Sequence, residues 1–135
     1  MTDDELTRRI GAILGSVPGW TCPSTESAEV GIWYGQIGTK PDRGIGVTVY
    51  STLDPRVDPA ERRVQLRYRG RPRMLGDANS MADIGFAMLH GLSRQGGISD
   101  IRRISMAPLG ADDNGREERT DNYIITLDNL EASTS

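Results

Sequence analysis

Hydrophobic and polar residues change their period in the middle of the chain, between residues 62 and 92. Polar and apolar residues alternate from Arg63 to Arg69, which predicts a strand with one buried face and one basic face. The buried face is expected to carry Val64, Leu66 and Tyr68. After the break at Gly70-Arg71-Pro72, apolar residues recur at helical spacing, which predicts an amphipathic helix on the core. Its apolar stripe consists of Met81, Ile84, Met88, Leu89 and Leu92.

Capping residues indicate where two helices begin and end. Thr2 and Glu5 have the spacing of a capping box, so a first helix is expected from about Asp3 to Gly15. Its buried stripe is expected to consist of Leu6, Ile10, Ile13, Leu14 and Val17. Candidate caps for the second helix are Asp77 or Ser80 at its start and Gly91 or the Gly96-Gly97 pair at its end.

Four further segments have strand composition or alternation. They are Val30–Ile37, Ile45–Thr52, Ile98–Met106 with a bulge, and a last strand over residues 122–128 that pairs back on the previous one. Segments rich in Pro, Gly, Ser and Asp predict the connections. These are a surface connection at Val17–Glu29, loops at Gly38–Gly44 and Leu53–Ala60, and a sharp turn at Ala111–Gly115.

The order of these elements is α-β-β-β-α-β-β, which predicts an α+β fold. We expect an antiparallel-dominated sheet of about five strands, with both helices packed against it. Residues 1–135 are expected to form a single domain with a polar C-terminal tail from about residue 129.

Composition excludes several classes of function. The chain has 16 basic and 19 acidic residues, a net charge of -3, which is not the balance of a protein that holds nucleic acid unaided. It has no segment typical of a transmembrane helix, and its polar start is not that of a signal peptide. We therefore expect a soluble, non-secreted protein with no membrane partner.

The chain offers little catalytic chemistry. His90 is the only histidine, and its position near the end of the second helix favours an interaction with the helix C-terminus over catalysis. Cys22 is the only cysteine, so it can form no disulfide within the chain, and it lacks neighbouring metal ligands. We therefore predict no enzymatic activity, no catalytic or metal site and no cofactor.

Arginines are concentrated around the strand that precedes the second helix. The stretch contains Arg62, Arg63, Arg67, Arg69, Arg71 and Arg73. Alternation places Arg63, Arg67 and Arg69 on one strand face. This face could be a solvated surface, a contact with acidic groups of a neighbouring subunit, or a contact with DNA. The solvated surface is favoured, and assembly is favoured over DNA binding.

Four stretches also carry a resemblance to a known family. They are GIWYG (Gly31–Gly35), PDRGIGVTVY (Pro41–Tyr50), VQLRYRGRPR (Val64–Arg73) with its following helix, and LGADDNGREERTDNYIITL (Leu109–Leu127). In order and spacing they resemble the tail terminator, or tail completion, proteins of long-tailed bacteriophages, often labelled phage minor capsid protein.

The resemblance implies a structural virion protein without enzymatic activity. It implies a subunit of a hexameric ring at the head-tail junction, assembled in the host cytoplasm. This ring caps the tail tube, stops its elongation and joins the tail to the head-side connector, so the partners are the tail tube protein and a connector protein. Genome DNA passes through the lumen without specific binding.

Long polar loops suit a ring that bridges two other rings. Candidate subunit or partner contacts on the loops and on the arginine face are Lys40, Asp42, Arg43, Asp54, Arg56, Arg63, Arg67, Arg69, Asp112, Asp113, Asn114 and Arg116. Two alternatives stay open. The first is a head-completion or adaptor protein of the connector, and the second, less favoured, is a small nucleic-acid-binding module.

Overall fold

A computed structural model describes residues 1–50 and 60–128 of the protein. The elements are α1 (Asp3–Leu14), β1 (Trp20–Thr21), β2 (Val30–Tyr34), β3 (Gly44–Tyr50), β4 (Glu61–Pro72), α2 (Asp77–Leu89), β5 (Ile98–Ala111) and β6 (Arg116–Leu127). The predicted tail from residue 129 and the predicted loop at 53–60, apart from Ala60, lie outside the described residues. Neither of these helices is long and apolar enough to cross a membrane.

The six strands form one sheet in the order β1-β2-β3-β4-β6-β5. The first two strand pairs are parallel and the other three are antiparallel. Both helices contact the sheet and each other, and they share one hydrophobic core with it. The predicted α+β fold with an antiparallel-dominated sheet is therefore confirmed. The additional strand is β1, whose two residues have no alternation that a sequence pattern could detect.

Strand β4 has the alternation that its sequence predicts. Val64, Leu66 and Tyr68 are buried, while Arg63, Gln65 and Arg67 lie on the opposite face. The strand is longer than predicted, because the Gly70–Pro72 segment continues it past an irregularity in its pairing with β6 instead of ending it. Gly70 leaves space for the start of α2, since a side chain there would meet Asp77 and Ala78.

Helix α1 begins with the predicted capping box. The Glu5 amide donates to Thr2 Oγ1 (3.1 Å), and the Thr2 amide donates to Glu5 Oε2 (3.3 Å). Leu6, Ile10 and Leu14 are fully buried, and Ile13 and Val17 are partly buried against the same core. The helix ends at Leu14 with Gly15 as its C-cap, as its sequence predicts.

Helix α2 corrects two predictions. Its N-cap is Gly76, with φ 84°, so Asp77 and Ser80 were wrong as N-caps. The reason is that the Asp77 carboxylate accepts hydrogen bonds from Arg43 and from the Arg71 amide, which lie outside the helix. The prediction of Ile84 as a core residue was wrong, since its side chain is 41% exposed. Small residues on the opposite side of α2 allow that side to approach the sheet. The predicted end is confirmed, since α2 stops at Leu89, two residues before Gly91 with φ 82°.

Strands β2 and β3 are parallel although only nine residues, 35–43, connect them. Gly35 (φ 89°) ends β2 three residues before its predicted end at Ile37. The chain then folds back over β3, where a side chain on Gly46 would meet the Gly35 carbonyl, and one on Gly44 would meet Trp33 and Ile37. Glycines in β3 therefore allow this loop to lie directly on the sheet.

The β5–β6 hairpin confirms the predicted pairing and the predicted irregularity of its first strand. Strand β5 has three shifts of register against β6, and it continues to Ala111, five residues beyond its predicted end. Strand β6 begins at Arg116, well before the predicted residue 122, and also pairs with β4. Backbone pairing extends both strands through residues whose side chains show no apolar alternation.

The packing of α2 on β4 depends on Gly85. A Cβ at this position would overlap the Tyr68 hydroxyl, which is buried and has no hydrogen-bond partner among the described residues. We expect Gly85→Ala to lower the free energy of unfolding by about 1–3 kcal/mol, although an alanine is favoured at an exposed helix position. Urea denaturation of the two proteins measures the difference.

Tyr68→Phe provides the matched background for this substitution. The nearest remaining ring carbon lies 3.1 Å from the added Cβ, a contact that a small shift can relieve. The destabilisation by Gly85→Ala should therefore fall by about 1 kcal/mol or more when Tyr68 is phenylalanine. An equal cost in both backgrounds would show that the hydroxyl does not limit the helix–sheet distance.

Candidate interaction site

Two of the predicted polar loops meet at one end of the sheet. The β2–β3 loop and the β5–β6 turn enclose a cleft of about 450 Å³. It is lined by Glu26, Thr39, Lys40, Pro41, Asp42, Asn114 and Arg116, and we call it the loop cleft. Its charged groups have both signs, so its chemistry suits a polar surface of another protein better than a purely anionic ligand.

Arg116 connects the two loops that form the loop cleft. Its Nε lies 2.9 Å from Asp112 Oδ2 within the turn. Its Nη1 lies 3.3 Å from Asp42 Oδ1 and donates to the Thr39 carbonyl oxygen at 3.4 Å, both in the β2–β3 loop. One mostly buried guanidinium therefore fixes the distance between the two walls of the cleft.

Asp112 organises the β5–β6 turn from within. Its Oδ1 accepts hydrogen bonds from the Asn114 and Arg116 amides, both at 2.9 Å. Gly115 takes the positive φ of the predicted Asn-Gly turn (73°), whereas Asn114 does not. Burial opposes ionisation of Asp112, but hydrogen bonds from Arg116 and Asn114 outweigh it and hold the pKa of this carboxyl below its usual 3.8.

The turn should therefore keep its internal order down to a pH below 3.8. Because the folded-state pKa of Asp112 is depressed, its contribution is complete above the unfolded pKa of 3.8 and is lost as the pH falls through the folded value. We expect the Asn114 and Arg116 amide resonances to titrate with a midpoint below 3.8. NMR titration measures this midpoint.

Two variants test the assignment of that titration to Asp112. Asp112→Asn should abolish the acid-dependent shift of both amide resonances, whereas Asp113→Asn, one residue further along the turn, should leave it unchanged. A midpoint at or above 3.8 in the wild-type protein would contradict the stabilisation of the Asp112 carboxylate.

Arg69 supports the β2–β3 loop from the sheet. Its guanidinium donates to the carbonyl oxygens of Gly38 (2.7 Å), Pro41 (2.8 Å) and Asp42 (2.8 Å). Burial, and then the nearby charge of Arg116, lower the pKa of Arg69 from its usual value. Arg69 therefore acts within the chain, where it holds the loop in the shape that forms the cleft.

Arg43 fixes the end of the same loop to α2. Its Nε and Nη2 each lie 3.1 Å from one oxygen of Asp77, a paired geometry with two parallel hydrogen bonds. The Asp77 carboxylate also accepts from the Arg71 amide at 2.8 Å. The loop is thus attached to α2 by Arg43 as well as to β4 by Arg69.

The sheet face opposite the helices carries polar side chains, and we call it the open sheet face. Hydrogen bonds cross its strands from Tyr50 and Gln65 to Asn122, and from Asn122 to Ser105. Arg67 is 49% exposed there and lies 2.8 Å from Glu118. A shallow depression of about 350 Å³ is lined by Gly35, Gln36, Ile37, Thr48, Gln65, Arg67, Arg69 and Glu118. The predicted arginine face is therefore partly neutralised by Glu118.

The predicted contact residues separate into groups in the structure. Lys40, Asp42, Asn114 and Arg116 come together around the loop cleft, and Asp112 and Asp113 belong to the same turn. Arg63, Arg67 and Arg69 belong to β4, and Arg43 is the last residue of the β2–β3 loop, where it pairs with Asp77. Asp54 and Arg56 lie outside the described residues. The residues that sequence reasoning missed are Glu26, which lines the loop cleft, and Asp77 and Glu118, whose partners Arg43 and Arg67 are distant in the chain and leave no local pattern.

His90 and Cys22, the two candidate reactive side chains, each form hydrogen bonds with neighbouring groups of the fold. His90 Nδ1 accepts a hydrogen bond from the Arg103 amide (3.2 Å), and its ring stacks on Phe86. The Cys22 thiol donates a hydrogen bond to the Tyr34 hydroxyl oxygen at 3.3 Å. Across residues 1–50 and 60–128, no three side chains that could bind a metal ion come together.

Comparison with known proteins adds one finding. A family model described as bacteriophage tail terminator protein matches residues 22–129. The match includes β2 to β6 and α2, and thus the loop cleft and the open sheet face. No curated protein matches the chain.

Proposed function

Because the chain belongs to the bacteriophage tail terminator family, we propose that it forms a ring that caps the finished tail tube, stops its elongation and joins the tail to the head-side connector. The protein is a structural component of a phage tail and hence of the virion. The ring is proposed to be a hexamer, assembled in the host cytoplasm and located at the head-tail junction. The observation that carries this proposal is the family match across most of the chain.

The loop cleft is the proposed contact with a neighbouring ring, either the tail tube or the connector. Arg69, Arg43 and Arg116 hold its walls by bonds within the subunit, so the cleft needs little reorganisation to bind. Lys40 and Asp42 stay exposed at its rim and can pair with charges of either sign.

The open sheet face is the proposed second contact. Arg63 and Arg67 lie on one face of β4, where they can meet acidic groups of a neighbouring virion protein. Direct DNA binding is not proposed, because Glu118 pairs with Arg67 and the chain carries a net charge of -3. DNA then passes through the lumen without specific binding.

Loss of the protein from the infecting phage tests the proposed function as a whole. We expect tails of irregular, often excessive length that fail to join filled heads, as seen by electron microscopy. Tails of normal, uniform length that lack heads would favour a head-completion or adaptor role. Normal tails joined to filled heads would contradict both roles.

Lys40 allows the proposed contact of the loop cleft to be measured directly, because it is the only lysine in the chain. An amine-reactive reagent should modify Lys40 readily in the free protein and much more slowly in assembled tails. Lys40→Arg provides the blank for modification of the N-terminal amine. Equal modification in free and assembled protein would place the contact elsewhere.

A further inference from the structure

The two edges of the sheet differ in length and in surface chemistry. One edge is β5, with 14 residues, and the other is β1, with two. Within the described residues, no strand pairs with the outer side of either edge. The β5 edge carries three large apolar side chains that are 42–47% exposed, namely Ile104, Met106 and Leu109. Three such side chains within six residues of one strand are a candidate contact with another protein.

The β5 edge is not suited to open-ended strand addition. Its register against β6 shifts between Ile98 and Asp100, between Arg103 and Ser105, and between Pro108 and Gly110. Bulges and proline interrupt the row of backbone donors and acceptors that a further strand needs. A contact at this edge is therefore made chiefly by side chains.

The charges of the two edges are complementary. Residues 92–111, which include β5, carry Arg94, Arg102 and Arg103 against Asp100, so their net charge is 3 − 1 = +2. Residues 11–39, which include β1, carry Glu26 and Glu29 as their only charged side chains, a net charge of −2. Arg102 and Glu29 are both exposed. The two segments thus have net charges of opposite sign, which favours a contact between opposite edges of two copies.

A closed ring requires a head-to-tail contact, in which two different surfaces of the same chain meet. We propose that the β5 edge of one copy binds the β1 edge of the next copy. This inference rests on the proposed ring. Ile104, Met106 and Leu109 supply the apolar part of the contact, and Arg102 with Glu29 supplies its polarity and direction. The loop cleft is left free for a partner from another ring.

One variant of each edge tests the contact in the full-length protein. Met106→Glu alters the β5 edge, and Glu29→Lys alters the β1 edge without touching a residue of the loop cleft. Each should weaken self-association by about 100-fold or more. The first variant buries a charge in the apolar part of the contact, and the second places a positive charge opposite Arg102. Sedimentation velocity across a concentration series measures the association.

Mixing the two variants tests the direction of the contact. Each variant retains one intact edge, so an equimolar mixture should form heterodimers, because only one of the two possible contacts is undamaged. If β5 instead met β5 of another copy, the β1-edge variant alone would assemble like the wild type, and this result would overturn the proposal.

Two substitutions on α2 serve as controls. Ile84→Glu matches Met106→Glu, since Ile84 is 41% exposed, and Asp83→Lys matches Glu29→Lys as a charge reversal at an exposed acidic residue. Both should assemble as the wild type does. If the wild type forms rings and both edge variants form them equally well, the edge assignment would be overturned, although the proposed ring would stand. A wild-type chain that stays monomeric even when mixed with tail tubes would contradict the ring itself.

Discussion

Asp121→Ala is expected to lower the free energy of unfolding by about 3–5 kcal/mol, because it leaves two guanidinium groups without their buried counter-charge. The Asp121 side chain is fully buried. Its oxygens accept from Arg119 Nε (2.7 Å) and Nη2 (3.3 Å), and Arg103 Nη1 lies 3.4 Å away. Burial, and then the charge of Asp121, raise the pKa of the neighbouring Tyr123 hydroxyl.

Asp100→Ala is the matched control for this experiment, because Asp100, like Asp121, is an aspartate paired with an arginine of β5. Its side chain is 43% exposed and lies 3.4 Å from Arg102, which is 60% exposed. A solvated pair of this kind contributes little, so we expect a change within about 0.5 kcal/mol. Chemical denaturation of the three proteins gives both values. A cost below about 1 kcal/mol for Asp121→Ala would contradict the role of the buried cluster.

Arg69→Met is expected to lower the free energy of unfolding by about 2–4 kcal/mol and to release the β2–β3 loop. Methionine retains much of the apolar stem but donates no hydrogen bond, and the carbonyl oxygens of Gly38, Pro41 and Asp42 lose a charged donor. We expect hydrogen exchange over residues 38–42 to accelerate by 10-fold or more. This corresponds to a decrease of about 1.4 kcal/mol in the free energy of opening of the loop. Assembly at the proposed contact of the loop cleft, with the tail tube or with the connector, should weaken in parallel, because the loop cleft loses its shape.

Arg67→Met provides the control at a position on the same strand and face. Arg67 is 49% exposed and forms an ion pair with Glu118, so its replacement should cost less than about 1 kcal/mol. It should also leave hydrogen exchange of residues 38–42 unchanged. If both variants behaved alike, Arg69 would be one member of a solvated basic face and not the support of the loop.

The helices and the long strands could be predicted because their signals are local. The capping box of α1, the alternation of β4 and the Asp112–Gly115 turn each depend on residues a few positions apart. Predictions failed where a distant partner intervened. Asp77 has the composition of an N-cap, but Arg43 engages its carboxylate across 34 positions of the chain. Strand β1 exists only through its pairing with β2.

The candidate site was predictable in its residue types but not in its arrangement. Lys40, Asp42, Asn114 and Arg116 could be named from turn composition, and the structure brings them to one cleft. No sequence pattern separates Arg69, which binds the loop within the subunit, from Arg67, which lies half-exposed on the same strand. Side-chain alternation predicts on which face of the strand an arginine lies. Its hydrogen-bond partner depends on which segment of the chain lies above that face.

By itself, the sequence determined the fold class, the main helices and strands, the scarcity of residues typical of catalytic sites, and the family resemblance. These follow from period, capping and composition, which act over a few residues. Only the tertiary structure decided the parallel β2–β3 connection over Gly44 and Gly46, the burial of Asp121, and the exposure of the apolar residues on β5. The physical reason is that burial and pairing are set by strand order, and strand order depends on contacts far apart in the chain.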